Sequence, residues 1–294
     1  MESTMPPSHR PPAGAPSSNR VVVFADMLGF AALTEANPID LRMLQARNRL
    51  FSLTLDDFEI GAVNPLTEAF SGFHQSLKSA ITMAEMKHLL TAITFSDSVF
   101  VAINYLFEAA SFAVNFAQSM ISQRIPVRMG IAFGSFAALR FRSDVSADSG
   151  DHAAQFLGTA VVRAYKAEQR CGVKGMRIFL HPSTKELFSD GSHNPTSPPF
   201  GTAPIRSLEC SNAECTNKSN EAGVSDEIDY WDLAPTKERS AWHGFQQMWA
   251  VAPETARIQE HYQATAEAIN RMRVAQGEVP LANLRRRTLP RRQK

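Results

Sequence analysis

Two short stretches of the 294-residue chain each place an aspartate inside an apolar, β-branched run. The first covers residues 21–30, with Asp26 near its end, and the second covers residues 92–102, with Asp97 at its middle. Runs of this length and composition are typical of strands buried in a sheet core. Because a lone carboxylate removed from water loses its hydration or becomes protonated, two such aspartates indicate a shared partner. Hard divalent cations prefer carboxylate oxygens, so the pattern predicts a metal ion such as Mg²⁺.

The first stretch also carries a pattern that is typical of phosphate binding. Gly29 follows Asp26 by three residues, and a helical pattern begins directly after the glycine. A strand that turns through a glycine into a helix presents free backbone N–H groups and the positive end of the helix dipole. An ordinary strand-to-helix turn also contains such a glycine, so this feature gains weight only beside the paired aspartates.

Together with three later segments, these stretches resemble the class III nucleotidyl cyclase domain. The first strand matches the family's Phe-x-Asp-x-x-Gly-Phe pattern, and the second aspartate lies where the family has a Gly-Asp hairpin, with serine replacing glycine. Residues 126–134 are similar to the family's Arg-x-Gly-Ile-x-x-Gly strand, and residues 156–168 to its Gly-x-x-Val-x-x-Ala-x-Arg helix. Residues 176–188 resemble the strand and helix that follow. The five segments stand in family order and cover roughly residues 20–235.

The resemblance implies an α/β (α+β) domain with a class III nucleotidyl cyclase fold, whose core is a ferredoxin-like βαββαβ sheet with helices on one side. We expect this catalytic domain to span residues 20–235, after a Pro- and Ser-rich disordered leader over residues 1–19. Residues 236–278 predict a C-terminal helical extension, and residues 279–294 form a basic tail.

Apolar periodicity and turn residues predict the elements between these landmarks. They predict helices over residues 38–55, 67–90 and 105–122, a strand over residues 127–133, an exposed polar loop over residues 141–153 and a last strand over residues 229–233. The helical region between the two aspartates is longer than the family's usual helical pair, which indicates an insertion.

The resemblance also implies the chemistry of the paired aspartates. In the family, two Mg²⁺ or Mn²⁺ ions held by these residues bridge the triphosphate of a nucleoside triphosphate, and the ribose 3′-hydroxyl attacks the α-phosphorus in line. Asp26 and Asp97 are the matching metal ligands here, with the backbone carbonyl of Met27 as a further ligand. The β- and γ-phosphates would be bound by three successive backbone N–H groups, those of Leu28, Gly29 and Phe30.

The segment after Gly158 departs from the family pattern. The family places an Asn, which orients the ribose, four residues before an Arg, which neutralises charge in the transition state. Those positions hold Val162 and Lys166 here, and lysine keeps the positive charge but lacks the planar guanidinium fork. Arg163 lies one residue beyond the Asn position and could replace it in a rotated helix. Lys166 and Arg163 are therefore the candidate catalytic residues, and a solvated helix face is the alternative for both.

The base-reading positions depart as well. Purine cyclases carry a polar pair there, whereas this chain has Ile93, four residues before Asp97, and Gln155, three residues before Gly158. Because isoleucine cannot hydrogen-bond to a purine edge, the usual readers of adenine and guanine are missing from the sequence. The pattern is similar to that of the bacterial pyrimidine cyclases of Pycsar antiphage defence, which make cyclic UMP or cyclic CMP.

These observations predict a pyrimidine nucleotidyl cyclase that converts UTP or CTP to the 3′,5′-cyclic nucleotide and diphosphate, making a second messenger in antiphage defence. The resemblance implies a head-to-tail homodimer in which both protomers contribute residues to each active site. Two alternatives stay open. One is a purine cyclase with unusual base contacts, and the other is a catalytically degenerate cyclase-fold module retained for binding.

Composition agrees with a cytoplasmic enzyme. The formal net charge of +1 and the 44% hydrophobic content indicate neither disorder nor a strong global field. No apolar run is long enough to span a bilayer, and the N-terminus lacks a signal-peptide segment. The three cysteines are not arranged in metal-binding pairs, which favours free thiols. The basic tail lacks interleaved aromatic residues, so no nucleic-acid partner is expected.

Overall fold

The chain is represented by a computed structural model. It describes residues 19–38, 64–85, 90–142, 152–169, 174–185, 187, 205–207, 226–228, 230, 241, 244–250, 256–275 and 277. The predicted leader up to residue 18, the predicted helix from residue 39 onward and the basic tail lie outside the described residues.

The strands and helices are numbered here in chain order. The strands among the described residues are β1 (Asn19–Met27), β2 (Thr91–Thr94), β3 (Ser98–Ile103), β4 (Val127–Ser135), β5 (Ala137–Arg142), β6 (His152–Leu157), β7 (Ile178–Leu180), β8 (Ile205–Ser207) and β9 (Asp226–Ile228). The α-helices are α1 (Phe30–Ala36), α2 (Pro65–Glu85), α3 (Leu106–Ser122), α4 (Thr159–Glu168) and α5 (Ala256–Ala275), and residues 244–250 are also helical.

The predicted ferredoxin-like core is confirmed by the strand order. A seven-stranded sheet runs β2-β3-β1-β4-β7-β9-β8. Strand β1 lies between β3 and β4 and is antiparallel to both, and β2 and β3 form an antiparallel hairpin. With α2 before β2 and α3 before β4, these four strands make the βαββαβ arrangement. Strand β7 then adds parallel to β4, which extends the sheet toward β9 and β8.

The two faces of the sheet bury different sets of side chains. Along β1, Val21 and Val23 point into the larger core, whereas Val22 and Phe24 belong to a smaller cluster on the opposite face. This alternation follows from the period-two geometry of a strand. Helices α2 and α3 cover the larger core, and α3 buries residues at the i, i+3 and i+4 spacing of an amphipathic helix.

The C-terminal helical extension packs into the same larger core. Phe245 comes from the helical residues 244–250, and Tyr262 and Ile269 come from α5. The backbone N–H of Met176, just before β7, donates a hydrogen bond of 2.9 Å to Thr265 Oγ1 on α5. The extension is therefore tied to the sheet by both apolar burial and a buried hydrogen bond.

Helix α4 lies on the opposite face, over the smaller cluster. The prediction of helices on one side thus holds for α2 and α3 of the βαββαβ core, and α4 is an additional helix on the other side. Its backbone sits very close to β4: a Cβ added at Gly130 would overlap the carbonyl oxygen of Ala164 and lie 2.6 Å from the backbone nitrogen of Glu168. Only glycine leaves room for this approach.

Two local predictions need correction. The polar loop is shorter than the predicted span of residues 141–153. Strands β5 and β6 pair as far as Arg142 and His152, because cross-strand hydrogen bonds stabilise the strands there although the sequence is polar. The strand expected over residues 229–233 is not formed at Tyr230, the residue of that span that the structure describes, and β9 lies before it, over Asp226–Ile228. Its Glu227 is buried and accepts a hydrogen bond of 2.6 Å from Arg177 Nε, so a distant partner makes an acidic strand stable.

No helix in the described part of the chain combines the length and the apolar composition needed to cross a membrane.

The close packing of α4 on β4 predicts different costs for two glycine substitutions. Gly130→Ala should lower the free energy of unfolding by about 3 kcal/mol, because a methyl group has no space beneath α4. Gly29→Ala has no atom within 4 Å of the new Cβ but a φ of 82°, so strain alone should cost about 1–2 kcal/mol. Urea unfolding of both variants measures the difference, and equal costs would contradict the packing described.

Candidate functional site

The two aspartates singled out in the sequence lie at the same end of the sheet. Asp26 is near the end of β1, where it pairs with Ser98 of β3. Asp97 precedes Ser98 in the β2–β3 turn, and its carbonyl oxygen accepts a hydrogen bond of 2.9 Å from the backbone N–H of Met27. The pairing of β1 with β3 therefore brings both aspartates together on neighbouring strands.

The turn that carries Asp97 is held by local hydrogen bonds. The backbone N–H of Phe95 donates to the carbonyl oxygen of Ser98 at 2.8 Å and closes the hairpin. The Ser96 hydroxyl donates to Asp97 Oδ1 at 3.2 Å. From α2, His74 hydrogen-bonds to the Ser96 backbone; burial lowers the pKa of His74, and this bond opposes the change. The serine that replaces the family's glycine thus contacts the aspartate beside it.

The electrostatic environment of Asp26 is unfavourable for an isolated carboxylate. Burial raises the pKa of Asp26 most, the negative charges of Glu168 and Asp97 add to the rise and Arg128 opposes it, and together they bring this pKa to about 7. The effect of Asp97 on the pKa of Asp26 follows from their closeness. A bound cation would relieve both the loss of hydration and the repulsion between the carboxylates.

The donor set at this corner fits one class of metal ion. Within the described ranges, no three His, Cys, Asp or Glu side chains come together in a way that could hold a metal ion. The carboxylates of Asp26 and Asp97 supply oxygen donors at this corner, with backbone carbonyls beside them. Mg²⁺ is usually bound by one or two carboxylates and completes its shell with water and substrate phosphates. Two carboxylates without sulfur or imidazole ligands match that chemistry.

Gly29, the glycine predicted at the strand-to-helix turn, has a backbone conformation that favours glycine over other residues. Gly29 caps α1 with φ 82° and ψ 11°, in the left-handed region. The backbone N–H of Leu28 donates to the carbonyl oxygen of Pro126 at 2.9 Å and would have to give up this bond to bind a phosphate. The N–H groups of Gly29 and Phe30 lie at the start of α1, where a helix offers no internal acceptor.

A buried ion pair lies beside Asp26, and the sequence patterns did not predict it. Arg128 Nε donates to Glu168 Oε1 at 2.5 Å, and Gln169 Nε2 donates to Glu168 Oε2 at 2.7 Å. The Glu168 side chain is fully buried, and burial raises its pKa while Arg128 opposes the rise. Both residues lie in family-like segments, but they are 40 residues apart. A charged residue at a helix end is normally interpreted as exposed.

The predicted catalytic residues Arg163 and Lys166 lie on α4 and not on the strands that carry the two aspartates. With four neighbours they line a surface cavity of about 420 Å³; the neighbours are Ser135, Gly158, Thr159 and Val162. Arg163 donates to the carbonyl oxygen of Phe133 at 2.9 Å. Burial, together with the positive charges of Arg163 and Lys166, lowers the pKa of His181 to about 4.

The Ser135 end of this cavity is far from the aspartates within one chain. Its Ser135 pairs with Asn19 at the start of β1, whereas Asp26 pairs with Arg128 at the other end of β4. Seven residues of strand separate the two positions on β4, which is roughly 23 Å. The structure thus brings Asp26 and Asp97 together and places Arg163 apart from them, at the Phe133 carbonyl oxygen. Lys166 lies two residues before Glu168 on α4, nearer the end of the helix that contacts Arg128.

Ile93, one of the predicted base-binding positions, lies beside an aromatic cluster on the same face as Asp26. Ile93 pairs with Phe100, and Gln155 lies on β6 directly before Phe156. The Phe100 ring centroid is 4.4 Å from that of Phe24 and 4.8 Å from that of Phe156. The surroundings of Ile93 are therefore aromatic.

Part of this face is exposed. Four large apolar side chains around the smaller cluster are each about half accessible to water: Phe95 (47%), Tyr165 (48%), Val162 (53%) and Leu157 (55%). We call these four residues the exposed apolar face. The rings of Phe95 and Tyr165 lie beside the smaller cluster, with centroids 6.3 Å from that of Phe100 and 5.5 Å from that of Phe24. Exposed aromatic side chains beside an apolar cluster are typical of a surface that binds another molecule.

No protein-family model matches the sequence, and no curated protein is similar enough to match it. Solved structures of cyclases are similar to the chain. Adenylate cyclases from Trypanosoma brucei in their monomeric state share 13% identity at a TM-score of 0.46, over 74% of this chain and 93% of theirs. A bacterial light-regulated adenylyl cyclase shares 13% identity at 0.45, over 77% and 97%. The guanylate cyclase domain of RhGC from Catenaria anguillulae, in complex with GTP, shares 13% identity at 0.42, over 71% and 94%.

The raised pKa of Asp26 predicts how stability depends on pH. Between about pH 4 and pH 7 the folded protein binds more protons at Asp26 than the unfolded chain, so this residue's contribution makes stability fall as pH rises. Asp26→Asn removes that contribution. Because Asp26 is only half-buried, we expect the variant to be more stable than the parent near pH 8 by on the order of 2 kcal/mol.

Urea unfolding of both proteins near pH 5 and pH 8, with a chelator present, measures this difference. The expected result is a smaller loss of stability with rising pH in Asp26→Asn than in the parent. An identical pH dependence in the two proteins would contradict the environment described for Asp26.

Proposed function

We propose that the protein is a nucleotidyl cyclase that acts on a nucleoside triphosphate with two divalent metal ions. The observation that carries the proposal is the convergence of Asp26 and Asp97 at one end of a ferredoxin-like sheet, beside a glycine-capped turn. These residues also stand in the sequence order of the class III cyclase motifs. The intact carboxylate pair disfavours the alternative of a degenerate binding module.

The proposed reaction forms one bond and breaks one. The ribose 3′-oxygen loses its proton and bonds to the α-phosphorus, while the bond from that phosphorus to the β-phosphate's bridging oxygen breaks and diphosphate leaves. Bound Mg²⁺ or Mn²⁺ would supply positive charge for the phosphate oxygens and acidify the 3′-hydroxyl. Asp26 and Asp97 hold that charge in place, with the Met27 carbonyl as a further ligand. The first amides of α1 bind the β- and γ-phosphates.

For the base we propose a pyrimidine, with UTP or CTP as the substrate and cyclic UMP or cyclic CMP as the product. Ile93 offers no hydrogen bond to a purine edge, and its neighbours are the aromatic rings described above. An apolar, aromatic slot can stack any base, so shape and the remaining polar contacts would select the smaller ring. The similarity of this pattern to Pycsar cyclases supports a role for the product in antiphage defence. A purine cyclase with unusual base contacts is the second candidate.

We further propose that the active site is completed by a second copy of the chain. Arg163 lies too far from Asp26 to act on the same phosphate within one protomer, because its guanidinium contacts the Phe133 carbonyl oxygen, five residues along β4 from Arg128. Lys166 is exposed on the same helix. A head-to-tail homodimer would bring the aspartates of one protomer opposite the cations of the other. The exposed apolar face, which includes Val162 beside Arg163, is a surface suited to that contact.

Incubation with each of the four nucleoside triphosphates and Mn²⁺ tests the activity and the base together. UTP or CTP should be cyclised at least about tenfold faster than ATP or GTP, as judged by mass spectrometry of the cyclic product. Asp26→Asn and Asp97→Asn should each reduce turnover by roughly a thousandfold or more, because the phosphates lose their metal support. Preference for ATP or GTP would favour the purine alternative, and no turnover of any triphosphate would favour the degenerate module.

Mixing two inactive variants tests the composite site. Asp97→Asn and Lys166→Ala, equilibrated together, should recover about a quarter of the parent activity, because half of the dimers are mixed and each has one intact site. The control is a mixture of Asp97→Asn with Asp26→Asn, in which every site lacks a carboxylate and no activity should return. Full activity of Lys166→Ala alone would contradict the role of that residue, and absence of recovery in the first mixture would contradict the shared site.

A further inference from the structure

Four charged groups line up on one face of the sheet. Asp97 lies in the β2–β3 turn, Asp26 follows on β1, and Arg128 faces Asp26 directly from β4. Glu168, at the end of α4, contacts Arg128 from above the sheet. Arg128 therefore has a carboxylate on each side, one on a neighbouring strand and one on the helix.

The structure pairs Arg128 with only one of these carboxylates. Its Nε and one terminal nitrogen both lie 2.5 Å from Glu168 Oε1, and Gln169 holds the second oxygen of Glu168. The arginine side chain is 11% exposed and that of Glu168 is not exposed at all. The pair is thus buried and fixed at both partners.

We propose that Glu168 holds the Arg128 guanidinium away from Asp26, and so keeps the Asp26 carboxylate open for a divalent cation. Glu168 and Arg128 are positioning residues in this account, because they act on the metal through Asp26. The inference rests on the proposed function, in which Asp26 is a metal ligand.

The geometry explains why Arg128 would pair with Asp26 if Glu168 did not bind it. Directly opposed residues on antiparallel strands have Cβ atoms about 5 Å apart, within reach of an arginine–carboxylate pair. Such a pair is often bidentate and would occupy the oxygens that a metal ion needs. Arg128 already opposes the rise in the pKa of Asp26, which reflects the attraction between them. Without Glu168, Asp26 would become the nearest anion for the arginine.

A purely structural role explains the pair less well. Helix α4 is already fixed on β4 by the close contact at Gly130 and by hydrogen bonds of about 3 Å between Ser135 and Thr159. A buried ion pair contributes little net stability compared with apolar residues of similar size. The position of this pair beside Asp26 is therefore its distinguishing feature.

Mn²⁺ binding without nucleotide, followed by electron paramagnetic resonance, tests the proposal. Glu168→Gln keeps the size of the side chain but removes the charge that holds Arg128. We expect this variant to bind Mn²⁺ about tenfold more weakly than the parent, because Arg128 then competes for Asp26. Adding Arg128→Gln to Glu168→Gln removes the competitor as well and should return the affinity to the parent's or better. Thermal unfolding with a chelator checks that each variant is folded.

The chain offers a matched control for the loss of a buried ion pair. Glu227→Gln breaks the Arg177–Glu227 pair, which is also buried and hydrogen-bonded but lies on β9, away from Asp26. Its Mn²⁺ affinity should equal the parent's. Unchanged affinity in Glu168→Gln, or a double variant as weak as Glu168→Gln, would overturn the proposal, as would equal weakening in Glu227→Gln.

Asp26→Asn separates this inference from the proposed function. If the parent binds Mn²⁺ and Asp26→Asn does not, the proposed metal site stands, and the Glu168 variants alone decide the role of the ion pair. If the parent does not bind Mn²⁺, or Asp26→Asn binds it as the parent does, the metal site fails and the inference fails with it.

Discussion

The site depends on one constraint, the pairing of β1 with β3 on one side and β4 on the other. That pairing sets Asp26 beside Ser98 and Arg128, and the Met27–Asp97 backbone hydrogen bond brings the second aspartate to the same corner. The corner removes Asp26 from water and places it near the negative charges of Glu168 and Asp97, and the raised pKa of Asp26 reflects these costs. A fold keeps such an arrangement where function requires it, since other residues would be more stable there.

The surroundings of the aspartates limit that cost without removing the site's affinity for a cation. Arg128 supplies a nearby positive charge, but Glu168 is its hydrogen-bonded partner. The Ser96 hydroxyl and the Met27 N–H hold the turn that carries Asp97. The guanidinium of Arg163 on α4 is bonded to the Phe133 carbonyl oxygen, so it does not neutralise the metal corner of a single chain.

Local patterns predicted much of the fold. The apolar runs around Asp26 and Asp97 are β1 and the β2–β3 hairpin, and the helix expected over residues 105–122 is α3, because strand and helix periods are visible within a few residues. The Arg128–Glu168 pair and the acidic strand β9 were not predicted, since their stability comes from partners some 40 to 50 residues away. The separation of Arg163 from Asp26 could not be predicted either, because it depends on how α4 crosses the sheet.

The central claim is that Asp26 and Asp97 together hold the metal ions that bind a triphosphate. Anomalous scattering from crystals grown with Mn²⁺ and a non-cyclisable UTP analogue tests it most directly. The account predicts two Mn²⁺ ions about 4 Å apart, both contacting oxygens of Asp26 and Asp97 and oxygens of the triphosphate. Manganese bound elsewhere, with the two carboxylates making no contact to it, would contradict the account.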